Sequence, residues 1–202
     1  MRKAILHLKR SDPIMAGIIE RVGPFRMQFR DPDFQTLVRS IVYQQLSGKV
    51  AATIFGRLLA AAGDGQELRP EGILALTVEQ MRSVGLSGQK TAYIRDLAER
   101  TLAGEVNFTI LSELTDDDVI AQLTRVKGVG VWTAHMFLMF ALQRPNILPI
   151  GDLGVRMAVR KAYRLRDLPK PAKMEKIAAK WHPYCSIASW YLWRSLDNQA
   201  EI

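Results

Sequence analysis

Two short stretches of this chain hold residues whose types and spacing suit them to chemistry. The first is Leu123-Thr-Arg-Val-Lys-Gly-Val-Gly-Val-Trp-Thr-Ala134. Gly128 and Gly130, two apart, let the backbone take positive φ and approach another surface closely. A helix is expected from about Val131, and its first amides have no partners inside the helix. Together with the amides of the hairpin they point outward at the positive end of a helix dipole, which is a phosphate site. Lys127 adds a charge. Such a site grips a nucleic-acid backbone without reading bases; a plain structural corner is the alternative. The second stretch is Pro149-Ile-Gly-Asp-Leu-Gly-Val-Arg156. Asp152 stands where a loop enters a helix from about Leu153, the place of an N-cap. A competing acidic cluster, Asp116 to Asp118, opens another helix and is most simply a set of dipole partners.

Composition supports a polyanionic partner. The chain has 202 residues, with 28 Lys and Arg against 20 Asp and Glu, a formal charge of +8. Hydrophobic residues make up 48% and charged residues 24%, so a core can form without disulfides or a structural metal. The single cysteine, Cys185, excludes an internal disulfide framework, a four-cysteine iron–sulfur cluster and a cysteine-rich zinc site. His7, His135 and His182 show no metal-ligand spacing. No apolar stretch reaches transmembrane length, and the N-terminal MRKAILHLKRSDP is too short and interrupted for a signal peptide. The expectation is a cytoplasmic, nucleoid-associated protein (nuclear if eukaryotic), monomeric and without membrane contact.

The elements that must position these residues are helical almost throughout. Asp12-Pro13 and Asp31-Pro32 are cap-plus-proline starts. The first is followed by Ile14, Ile18, Ile19 and Val22, the second by Phe34, Leu37, Val38, Ile41, Val42 and Leu46. Ser47 and Gly48 break that helix, and another runs from about Lys49 to Ala62. Further helices are expected near 71–76, 78–84, 88–103, 116–125, 131–143, 153–165, 173–181 and 185–198, with no alternating strands. Segments 81–94 and 123–136 are weakly alike, each a helix end, a glycine turn and a new helix: either a repeated helix–hairpin–helix unit or the look of any helix–turn–helix link.

Three motifs in order, FQTLVRSIVYQQLSGKVA (34–51), LxxVKGVGVWTA (123–134) and LPIGDLGVR (148–156), resemble those of the helix–hairpin–helix superfamily of DNA base-excision glycosylases. Within it, the 3-methyladenine DNA glycosylase II group is the nearest match, from roughly Phe29 to Leu196. The resemblance implies an all-α, compact two-lobed helical bundle with an active-site cleft between the lobes. It implies one domain over residues 1–202, in which the terminal parts pack with central helices of about 31–145. No stretch matches the extra N-terminal β-domain of some bacterial relatives, so the minimal helical form is expected.

By the same resemblance the activity is hydrolysis of the N-glycosidic bond of flipped-out alkylated purines, 3-methyladenine and 7-methylguanine, in double-stranded DNA. Asp152 becomes the catalytic aspartate, a role compatible with capping. The helix amides hold it ionised, and a fixed anion beneath the deoxyribose stabilises the developing positive charge or activates water. Trp132 stands where bifunctional members carry a lysine nucleophile. Tryptophan forms no Schiff base, so no strand cleavage is expected. The Tyr-Gln-Gln-Leu-Ser turn is where the family probes the duplex, which makes Gln45 the wedge, with Leu46 beside it and Gln44 at the turn. The bland alternatives are Gln44 capping the helix end and Leu46 in the core. The base pocket is assigned to Trp132, Tyr184, Met136 one turn beyond Trp132, and Phe25, whose rings suit cationic nucleosides by about 2 kcal/mol. Core packing is expected for Phe34, Phe55, Phe137, Phe140 and Trp190. Contacts to the DNA backbone fall to Lys127, Gly128, Val129, Gly130 and Thr133. No cofactor is required. The resemblance places a Na, K, Ca or Mg-type cation on the backbone carbonyls of Thr124, Val126 and Val129. A non-catalytic helix–hairpin–helix DNA-binding protein is the alternative function, and a lyase using Lys127 or Lys161 is a third.

Overall fold

The computed structural model describes residues 1–63, 65 and 67–197. Among them the regular structure is entirely helical. The elements are α1 (Arg2–Ser11), α2 (Pro13–Val22), α3 (Phe34–Tyr43), α4 (Gly48–Ala62), α5 (Pro70–Ala75), α6 (Val78–Ser83), α7 (Gly88–Leu102), α8 (Asp116–Leu123), α9 (Val131–Phe140), α10 (Leu153–Ala162), α11 (Pro171–Ala178), a 3₁₀ turn (Ala179–Trp181) and α12 (Cys185–Asp197). The chain divides into two compact units: Met1–Phe29 with the chain from Gln143 onward, and Arg30–Leu142.

The helix starts follow their caps. Asp12 accepts from the amides of Ile14 and Met15 ahead of Pro13. Asp33, rather than Asp31, accepts from Thr36 and starts α3. Thr77 and Gln80 form a reciprocal capping box at α6. Thr115 accepts from Asp118 at α8, whose first turn carries the three aspartates. Several ends differ from the sequence expectation. α3 stops at Tyr43 instead of running to Leu46, α9 ends at Phe140 and α10 at Ala162, while α11 begins at Pro171. Position 198, the expected end of the last helix, lies outside the described residues. The N-terminal segment, read in the sequence only as basic and interrupted, is a full helix. Ala4 and Leu8, one turn apart, are the only two of its residues fully sunk, too narrow a stripe to stand out among Arg2, Lys3, Lys9 and Arg10.

In the unit formed by the chain ends, α2, α10 and α12 pack their apolar faces together with α1 and the 3₁₀ turn. Met15, Ile18, Val159, Met174 and Leu192 are sealed from solvent, each worth about 2 kcal/mol of burial. Asp12 is completely buried among them. Its Oδ2 accepts from the Tyr163 hydroxyl, from Trp181 Nε1 at 2.9 Å and from the Lys180 ammonium at 3.2 Å. Burial raises the Asp12 pKa, but these donors and the Met15 amide outweigh it, and the carboxyl ends below its ordinary value. In the central unit α7 packs against α3, α5 and α6, and α8 against α9. Asp96, buried on α7, accepts from Arg100 Nε at 2.9 Å and from the Lys127 amide at 2.9 Å. Its pKa is also held down, burial being outweighed by the bonds from Lys127 and Arg100.

Both carboxyls have folded pKa values below their unfolded ones, so they stabilise the protein above the unfolded value and stop doing so as pH falls. Unfolding midpoints are therefore expected to drop steadily below about pH 4. Asp12→Asn should flatten that acid limb while lowering stability at pH 7, measured by urea denaturation across a pH series.

Candidate nucleic-acid interface and acidic site

The hairpin expected at 124–130 joins α8 to α9. Gly128 has φ +77°, and a Cβ there would stand 2.0 Å from Tyr93 Cδ2. Glycine is thus required twice, by conformation and by the ring packed under it. Gly130 has an ordinary φ of −92° and open space around it. Its missing side chain matters only to something approaching from outside. α9 begins at Gly130 without any side-chain cap, so its first turn presents its amide end uncapped, and Val131 and Trp132 are about half exposed.

Two details depart from the sequence reading. The Lys127 amide goes inward to Asp96 and the Val129 amide to the Val126 carbonyl at 3.0 Å, so neither points at a ligand. Lys127 keeps an exposed ammonium that also pairs with Asp96 at 3.4 Å. Val126 and Val129 are buried, and Thr133 is buried behind the first turn of α9. Asp96 was not singled out in the sequence. Its spacing to Arg100 was visible, but its hold on the hairpin spans 31 residues.

The turn after α3 lies in the same unit. Gln44 Nε2 donates to the Gly128 carbonyl at 3.0 Å, so its side chain ties the turn to the hairpin instead of closing its own helix. Gln45 is exposed with φ +57°. Leu46 is also exposed, which removes the core reading for it. Lys90 Nζ donates to the carbonyls of Val42 and Gln44, and burial lowers its pKa.

A cavity of about 910 Å³ opens in this unit, lined by Tyr43, Tyr93, Trp132, Met136 and Phe140 together with Arg30, Arg39, Lys90, Gln44 and Gln45. Trp132 and Met136 thus share one hollow. Phe140, expected in the core, is half-buried on its wall. The Arg39 guanidinium stacks 3.8 Å from the Tyr43 ring centre. Burial, then the like charge of Arg39, holds Arg30 below its ordinary pKa. His135 on α9 has its pKa lowered by burial, against an opposing pull from Asp116.

In the other unit Asp152 is buried and caps α10, its Oδ1 accepting from the Val155 amide at 2.7 Å. The same oxygen accepts from Trp193 Nε1 of α12 at 2.8 Å. Trp193 went unnoticed in the sequence. The signal was Gly154, a residue unfavourable in a helix, where a Cβ would come 3.0 Å from Trp193 Cδ1 and 3.2 Å from Asp152 Oδ1. Tyr184, half-buried at the start of α12, meets the His7 ring edge-on at 5.4 Å. Phe25 lies 4.6 Å from Trp190 and 6.0 Å from Tyr191, ring centre to ring centre, so its first task is packing within this unit. Cys185 is fully buried, and burial pushes its thiol up to about 12. Among the described residues no cluster of His, Cys, Asp or Glu side chains could hold a metal, and no helix is long and apolar enough to cross a membrane.

A helical fold with an uncapped, glycine-turned hairpin and a buried, doubly anchored aspartate defines a class, and the comparisons agree. The chain belongs to the HhH-GPD superfamily of base excision DNA repair proteins, whose family model matches residues 38–183. It is 32% identical over 200 residues to DNA-3-methyladenine glycosylase 1 of Schizosaccharomyces pombe, covering 96% of this chain and 87% of that one. The solved structure of the S. pombe 3-methyladenine DNA glycosylase in complex with abasic DNA superposes with a TM-score of 0.84 at 32% identity, over 95% of each chain. A DNA-3-methyladenine glycosidase from Bacillus halodurans gives 0.87 at 34% identity, over 98% of this chain and 91% of that one.

Gly128→Ala is expected to displace Tyr93 and the hairpin together. DNA affinity should fall at least tenfold and the thermal midpoint by several degrees, about 2 kcal/mol of strain, read by fluorescence anisotropy and calorimetry.

Proposed function

We propose that this protein is a monofunctional DNA glycosylase that extrudes alkylated purines, 3-methyladenine and 7-methylguanine, from double-stranded DNA and hydrolyses the N-glycosidic bond. The observation that carries the reading is the cradle of Asp152. The Val155 amide and an indole from another helix fix one oxygen of this carboxylate, which stands in the LPIGDLGVR segment that resembles the aspartate motif of the glycosylases. A group so oriented lends its charge to an oxocarbenium-like sugar without reorganising during the reaction. It can also align the attacking water.

The rest follows from chemistry already in place. The uncapped amides of α9 and the exposed Lys127 ammonium bind phosphate. Gln45 fills the gap left by the extruded nucleotide. The cavity under Trp132 and Met136 offers rings to a cationic base, while Arg30 and Arg39 suit the phosphate that travels with it. A methylated purine carries positive charge already, so its departure needs little acid catalysis, in keeping with a His135 that burial disfavours as an acid. Trp132 supplies no amine, so the product is an abasic site in an uncut strand. The carbonyls of Thr124, Val126 and Val129 would hold a hairpin cation. The Val126 oxygen accepts one amide and retains a second lone pair, which fits a hard, oxygen-seeking ion adding charge toward DNA phosphate.

Release of methylated bases from alkylated duplex DNA, followed chromatographically, tests the reading. Asp152→Asn should lower the rate by at least a thousandfold with DNA binding retained. Full turnover in that variant would reduce Asp152 to a cap and leave a DNA-binding protein. Trp193→Phe keeps the packing and removes the indole donor. Its kcat should fall about tenfold, the worth of one charge-assisted hydrogen bond, with KM little changed and the thermal midpoint lowered by a few degrees. Borohydride treatment should trap no covalent adduct.

A further inference from the structure

Segment 81–94 has the outline of the DNA hairpin but a different chemistry. Its turn glycine, Gly85, has φ +107° and faces the Ile54 side chain. The amide end of α7 is closed, because the Ser87 hydroxyl accepts the Lys90 amide at 3.2 Å. Lys90 stands in the first turn of α7, where a cation meets the positive end of its own helix dipole. Its helix gains nothing from that charge.

The ammonium instead serves the opposite kind of helix end. Nζ lies 2.6 Å from the Val42 carbonyl and 2.7 Å from the Gln44 carbonyl, at the C-terminus of α3, where carbonyls lack helical partners and a cation is favoured. The next residue, Gln45, is held at φ +57°, a conformation that persists only where the surroundings impose it. Gln44 Nε2 reaches the Gly128 carbonyl. Tyr93, three residues after Lys90 on the same helix, is the ring on which Gly128 rests. One face of α7 therefore supports both the probing turn and the phosphate hairpin.

We infer that Lys90 is a positioning residue for strand probing: by bridging the Val42 and Gln44 carbonyls it holds the Gln45 turn in register with the hairpin. This rests on the proposal that Gln45 enters the duplex. The ammonium is committed to two carbonyls and needs no contact with DNA.

Lys90→Met keeps the apolar stem and removes the donors; Lys90→Arg keeps donors. A duplex with 2-aminopurine beside a tetrahydrofuran abasic analogue reports unstacking on binding, without excision. Lys90→Met should bind with the parental salt dependence yet lose the fluorescence rise, and Lys90→Arg should recover part of it. Release of 7-methylguanine from duplex should fall about tenfold, and clearly less from the same strand unpaired. Lys90→Gln, with one neutral donor, gives the same reading at smaller amplitude should Lys90→Met not fold. An intact fluorescence rise, or equal loss on paired and unpaired substrate, overturns the inference. A salt slope reduced by about one unit marks Lys90 as a phosphate ligand and overturns it too. If the parent protein releases no base at all, the proposed function fails, while the fluorescence still decides the role of Lys90.

Discussion

A loop that grips phosphate through its main chain has to be stiff before the ligand arrives, because amides that must first be ordered give back much of what they gain. In this protein the stiffness comes from one buried carboxylate. Asp96 holds the Lys127 amide and the Arg100 guanidinium, and the α7 surface around it supplies Tyr93 as the floor under Gly128. Two amides of the hairpin are thereby given up to internal bonds, leaving the uncapped start of α9 to face outward. The set of outward-facing amides is smaller than a count of hairpin amides suggests, and better defined.

The unit formed by the chain ends uses the same device at two other aspartates. Asp12 and Asp152 each cap a helix, are each buried, and each accept an indole N–H from a distant tryptophan, Trp181 and Trp193 respectively. The surroundings separate them. Asp12 also takes a tyrosine hydroxyl and a lysine ammonium, so its charge is neutralised where it sits and serves the core. Asp152 takes an amide and an indole on one oxygen, which fixes the direction of that oxygen. A carboxylate so oriented suits the electrostatic role proposed for it.

Local signals explain what could be seen in the sequence. Cap-and-proline pairs, periodic apolar positions and the KGVG turn are written within a few neighbouring residues, so most helices, the hairpin and the capping role of Asp152 were legible. The missing helix, α1, buries a stripe of two residues under a charged surface, which periodicity cannot separate from a basic tail. The end of α3 is met by the remote Lys90, whereas α9 and α10 close through local bonds, from the Leu142 amide to the Phe137 carbonyl and from the Leu165 amide to the Arg160 carbonyl, beside Gln143 and Arg164 at positive φ. The turn at Gln44 is drawn outward by a lysine 46 residues away. Trp193, Lys90 and Asp96 escaped for a related reason: each acts through a bond to a residue remote in the chain. Only Gly154 left a local trace, as a helix former's place taken by glycine.

Cys185 has a consequence of its own. Reagents that methylate purines are electrophiles, and the thiolate is the protein nucleophile they find first. The chain carries one cysteine. It opens α12 with no exposed surface, and its proton is held far above neutral pH. A protein repairing alkylated DNA meets its substrate in the presence of whatever made it, and here the soft nucleophile that would record that exposure is buried and kept protonated. Burial thus leaves the thiol both out of reach and in its unreactive form.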